Sequence, residues 1–110
     1  MGHDISGYNK AGEEIAYARF SSGNYNATVL YDLLDAHNYY AGVSGSGGGS
    51  TFSIQQIEHA LNSFNRLYNN DASSHSNSDF LSGDQKQILD FIKNCLATAQ
   101  KEGNVKVFFG

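Results

Sequence analysis

The side chains that could do chemistry in this chain fall into three small groups of histidines and carboxylates. His3 stands beside Asp4, Asp32 and Asp35 precede His37, and Asp71, His75 and Asp79 lie further on. Imidazole and carboxylate are the ligand types of a divalent metal, and zinc needs three or four of them converging on one point. His3, Asp4, Asp35 and His37 are therefore the candidate metal ligands, although only long-range folding would bring them together. Asp32 and Asp35 are neighbours on a helix, whereas His37 points elsewhere unless the helix has ended before it. The stretch from Asp71 to Asp79 lacks the glycine and terminal glutamate of a calcium loop. Solvated polar residues are the plainer reading of all three groups.

A glycine-rich segment, "AGVSGSGGGSTFS" from Ala41 to Ser53, precedes a helical pattern. Free backbone N–H groups and a helix dipole in that setting favour an anion. Gly45, Gly47, Gly48, Gly49, Ser50 and Ser53 are the candidate anion-binding residues on this ground. The side-chain chemistry of a nucleotide loop is missing, because no lysine follows and the Gly45, Gly47 pair is completed by Ser50 rather than a third glycine. A surface loop at 41–51, or a linker-like insertion, is the alternative.

Nucleophilic catalysis has no anchor. Cys95 falls on the apolar side of a helical pattern, where a thiol packs as a small hydrophobe, and the serines show neither a G-x-S-x-G elbow nor an S-x-x-K pattern. His59 beside Glu58 is simplest as an exposed residue. Tyr39 and Tyr40 lie outside any apolar stripe and are candidate interface residues, since tyrosine is favoured at protein contacts.

These groups must be positioned by elements that the pattern makes plain. "HDISGY" and "EEIAYARF" flank the turn-rich "NKAGE" and read as a β-hairpin. Asn24 or Asn26 can cap a helix over 26–37 with Val29, Leu30, Leu33 and Leu34 at helical spacing. Ser53 with Gln56 forms a capping box ahead of a stripe made of Ile54, Ile57, Leu61, Phe64 and Tyr68. A polar loop over 69–81 follows, and Ser82 with Gln85 repeats the start signal. The next helix buries Ile88, Leu89, Ile92, Cys95, Leu96 and Ala99 and ends at Gly103. "NVKVFFG" then closes as a strand with Val105, Val107 and Phe109 on one face and Lys106 on the other. The order β-β-α-α-α-β predicts an α+β fold in which a small antiparallel sheet, the hairpin plus the last strand, is covered by about three helices.

The chain has 110 residues, so one domain spanning 1–110 with one core is expected. A net charge of −4 with seven scattered Lys and Arg lacks the footprint of a duplex binder, so no nucleic acid is expected as partner. No apolar run approaches the ~20 residues of a membrane helix, and the lone cysteine makes no internal disulfide, which together imply a cytoplasmic protein without a membrane partner. The start "MGHDIS" fits the pattern for N-myristoylation at Gly2, but no polybasic second signal follows. It is better read as the beginning of the first strand. No residue pattern implies a cofactor.

"MGHDISGYN" at one end, with "DFIKNC" and "GNVKVFFG" at the other, resembles a group of small phage and bacterial proteins that begin Met-Gly-Tyr-Asp and end in a helix, a glycine and a short apolar strand. The likeness covers about a third of the chain. The present sequence departs from the group in having His3 where tyrosine is usual and no tryptophan. The resemblance implies a viral or bacterial setting and no catalytic residue. A non-enzymatic protein that works by contact, through self-association or a protein partner, is the expectation. The alternatives are a small-ligand or phosphate binder at the glycine segment and a divalent metal site.

Overall fold

The computed structural model describes residues 2–42, 44–69 and 83–110. The hairpin consists of β1 (Gly2–Tyr8) and β2 (Glu14–Ser21). Asn9 closes its turn: its backbone N–H donates to the Glu13 carbonyl at 3.0 Å, and its side-chain oxygen accepts from the Glu13 N–H at 2.9 Å. Gly12 sits in this turn at φ 83°, a conformation that suits a residue without Cβ.

Helix α1 (Tyr25–Leu33) starts at Asn24, whose side-chain oxygen accepts the Asn26 N–H at 2.9 Å. It stops short of the 26–37 span expected, because Asp35 takes a left-handed φ of 54° and turns the chain out of the helix. A short 3-10 turn, His37–Tyr39, follows.

The segment from Gly48 to Ser53 then forms a strand, β3, where the composition suggests a loop over 41–51. Glycine is a poor strand former, so the strand must be held by other means. Phe52 is the buried anchor at one end, and the backbones of β3 and its neighbour approach closely at the glycines. Helix α2 (Ile54–Asn69) begins directly at Ser53, whose hydroxyl accepts the Gln56 N–H at 3.2 Å while Gln56 accepts the Ser53 N–H at 2.8 Å. The expected capping box is formed. Helix α3 (Gly83–Glu102) leads through Gly103, φ 93°, into β4 (Asn104–Phe109). Ser82 and the polar loop apart from Asn69 lie outside the described residues, as do Asp71, His75 and Asp79.

The fold is α+β, with helices on one face of an antiparallel four-stranded sheet of order β2-β1-β4-β3. The closing strand pairs with the hairpin as the residue pattern predicts. Pairing register places His3, Ile5 and Gly7 opposite Phe20, Ala18 and Ala16 on the helical side. Small residues face inward there because α3 lies low on the hairpin. A Cβ on Gly7 would sit 3.0 Å from Cys95 Sγ and 3.2 Å from the Ala16 Cβ. The core between the layers takes Ile57, Ala60 and Phe64 from α2, Ile88, Phe91, Ile92 and Cys95 from α3, and Val105, Val107 and Phe109 from β4. Gln87 of α3 reaches the outer edge of β2, accepting from the Arg19 N–H at 2.7 Å and donating to its carbonyl at 2.9 Å. An amide side chain thus takes the place of a fifth strand at that point.

Candidate functional site

The glycine segment is part of the sheet. Gly45 N–H donates to the Gly110 carbonyl and Gly47 N–H to the Phe109 carbonyl, both at 2.8 Å. Gly48, Gly49 and Ser50 pair with Phe109, Phe108 and Val107, and Ser53 is the cap of α2. The Gly45 and Gly47 amides expected to face an anion are instead bonded to β4 and the residue after it. The glycines are needed for close approach instead. A Cβ at Gly45 would lie 2.6 Å from the backbone carbon and oxygen of Phe109, and one at Gly49 would lie 2.7 Å from the Val107 oxygen.

The four expected metal ligands do not converge. His3 and Asp4 are consecutive strand residues and so point to opposite faces. His3 is fully buried, with Nε2 3.2 Å from the Gly42 carbonyl and Nδ1 3.1 Å from the Tyr31 hydroxyl. A carbonyl only accepts, so Nε2 carries the proton and Nδ1 receives the Tyr31 O–H. Both ring nitrogens are engaged in holding the core. Burial, then the neighbouring Tyr40, pushes the Tyr31 phenol up to about 12. Asp4 lies on the uncovered face, accepting from the Tyr17 hydroxyl at 2.5 Å, with Arg19 Nε 3.7 Å away. His37 pairs with Asp32 instead of Asp35, since α1 has ended and the chain has turned at Asp35. No group of three potential metal ligands forms among the described residues.

Tyr39 and Tyr40 belong to an aromatic cluster around the start of the sheet. The Tyr39 ring stacks on Phe109 with centroids 4.8 Å apart, and its hydroxyl donates to the Gly49 carbonyl at 3.2 Å. Tyr40 stacks on His3 at 5.3 Å and leaves part of its surface to solvent. Cys95 is fully buried, and desolvation pushes its thiol up to about 12, so it is packed in the core and not activated.

What remains accessible is the face of the sheet that no described helix covers. Register builds it in rows. Tyr17, Ser6, Phe108 and Gly49 are successive partners across all four strands. Tyr17 and Phe108 are 47% and 38% exposed, while Ser6 between them is buried to 6%. The two rings rise about 10 Å apart, two strand spacings, over a small floor. On one side Asp4 pairs with Arg19; on the other, Glu14, Tyr8, Lys106 and Thr51 form the next row. The hydrogen bond to Asp4, then desolvation, raises the Tyr17 phenol above its ordinary value.

Beyond this row the hairpin turn and β4 bound a groove of about 560 Å³. Tyr8, Phe108, Thr51 and Lys106 wall it from the sheet, and Lys10 and Gly12 from the turn. Lys10 and Lys106 are the charged residues of its lining, and neither makes an ion pair among the described residues. The Lys10 backbone N–H donates to Glu102 at 2.8 Å, and Glu13 accepts from the Asn9 amide at 2.9 Å. Glu102 and Glu13 are thus each held by a donor of a groove-lining residue, through Lys10 and Asn9.

Sequence reasoning leaves out Tyr8, Thr51, Lys106 and Phe108. The available signal is the alternation in β4: a phenylalanine falls at the outward position next to the inward Phe109.

No protein-family model, curated protein or solved structure matches the chain.

Proposed function

We propose that this chain is a non-enzymatic protein that acts by binding another protein through the uncovered face of its sheet. The observation that carries the reading is the pair of exposed rings, Tyr17 and Phe108, set in one row over the buried Ser6. Aromatic residues within a polar rim are the composition of a contact surface. Charges of both signs border the row, with Asp4 beside Arg19 and Glu14 in the row of Lys106. That mixture suits a protein surface better than a polyanion, which favours a continuous positive track. The potential nucleophile Cys95 and the potential base His3 are both sealed in the core, and this favours binding over catalysis. The likeness of the chain ends to small phage and bacterial proteins suggests a bacterial cytoplasm as the setting.

The test is photo-crosslinking in cells that express the protein, with a benzophenone analogue of phenylalanine in place of Phe108 or, separately, of the exposed Glu58 on α2. A discrete protein adduct from position 108 alone, lost when Tyr17→Ser is added, is the expected result. Equal adducts from both positions, or none from 108, would refute the reading.

A further inference from the structure

We infer that the groove between the hairpin turn and β4 is a binding site for a small aromatic molecule bearing a carboxylate or phosphate. This inference stands apart from the contact reading, because occupancy of the groove is measured without any partner. Its volume of about 560 Å³ lies within the roughly 300–1,000 Å³ of small-molecule sites. Its walls come from separate parts of the chain: Tyr8 from β1, Lys10 from the turn, Thr51 from β3, and Lys106 and Phe108 from β4.

The recognition chemistry follows from what these groups offer. Lys106 is held in register between Tyr8 and Thr51, with Glu14 beyond Tyr8, so its side chain leaves the sheet between a phenol and a threonine, whose hydroxyls are both able to donate hydrogen bonds. Lys10 adds a second ammonium from the turn, and no carboxylate among the described residues forms an ion pair with either. An anion is the complement of that set. Phe108 is on the same face two residues from Lys106, with its ring over Gly110, where an added Cβ would lie 3.0 Å from Cε2. The phenylalanine edge and the Tyr8 ring supply apolar surface for a flat group attached to the anion. The charge and the ring surface select together: inorganic anions lack the apolar part, and neutral or cationic rings lack the charge.

The experiment is a titration followed by amide NMR shifts, using phenyl phosphate and benzoate as probes and inorganic phosphate and benzylamine as controls. Saturable shifts at Tyr8, Thr51, Lys106 and Phe108 are expected with at least one aromatic anion, with binding at least about tenfold weaker for both controls. Whichever probe binds more tightly separates a phosphate ligand from a carboxylate one. Lys106→Glu should weaken the preferred probe at least about tenfold while leaving the remaining amide spectrum in place. Lys10→Glu is the second variant, expected to weaken it in the same direction should Lys106→Glu disturb the sheet. No saturable shift up to about 10 mM of either aromatic anion, equal response to benzylamine, or binding unaffected by both reversals would overturn the inference.

Discussion

Replacing Tyr31 by phenylalanine tests the assignment of His3 to the core instead of to a metal. The substitution keeps the ring, which packs edge-on to His3 at 5.5 Å and against Phe109 at 5.3 Å, and removes the one hydroxyl facing His3 Nδ1. With Nε2 committed to the Gly42 carbonyl, Nδ1 becomes a fully buried acceptor without a donor. Leaving such a group unpaired costs about 1–3 kcal/mol. For 110 residues, an unfolding entropy of roughly 2.1 cal/mol/K per residue makes each kcal/mol worth about 4 °C, so Tm should fall by roughly 4–13 °C. Thermal unfolding followed by circular dichroism at neutral pH measures it. The double variant Tyr31→Phe with His3→Phe removes both members of the pair and should cost less than the two single changes added, by about 1 kcal/mol or more. A Tyr31→Phe variant within about 0.3 kcal/mol of the parent, or strict additivity in the cycle, would refute the reasoning.

Two further outcomes follow from packing and burial. Gly45→Ala places a Cβ 2.6 Å from the Phe109 backbone and should destabilise by about 1–3 kcal/mol in urea unfolding; Gly83→Ala, which meets nothing within 4 Å, should not. Alkaline stability gives the second. Cys95 and Tyr31 ionise near 9.0 and 10.0 when unfolded, and burial raises both to about 12 in the fold. Their contribution is therefore complete below about pH 9 and is lost as pH rises toward 12. Urea midpoints should fall between about pH 9 and 12, and Cys95→Ala should flatten that fall. An unchanged pH slope in the alanine variant would show that the thiol does not drive it.

The elements that could be read from the residues are those whose own pattern carries them. Ile57 and Phe64 on one helix, Ile88, Ile92 and Cys95 on the next, and Val105, Val107 and Phe109 on the last strand recur at the period of their element and are buried. The Ser53 and Gln56 cap is equally local, and it forms as written. What escaped the pattern is long-range. β3 has one apolar residue, Phe52, and otherwise consists of Gly48, Gly49, Ser50, Thr51 and Ser53. Its pairing arises because glycine lets two backbones come within a distance that a side chain would forbid, which no periodicity announces. The Gly45 and Gly47 amides just ahead of β3 bond to Gly110 and Phe109, and the strand itself supplies Thr51 to the groove.

The uncovered face was partly legible. Lys106 alternates outward between Val105 and Val107, but a single outward lysine is ordinary solvation until the register sets Tyr8 and Thr51 on either side of it. Phe108 carries more information. In a sheet with helices on one side, consecutive phenylalanines must send one ring to the core and one away from it. Phe109 takes the core, fully buried, and Phe108 is left 38% exposed beside a buried serine. The Phe108 ring lies outside the core, over Gly110, and is accessible for contact. Phe108 both borders the groove and stands in the row with Tyr17, and a bound aromatic anion would therefore change the surface that a protein partner meets.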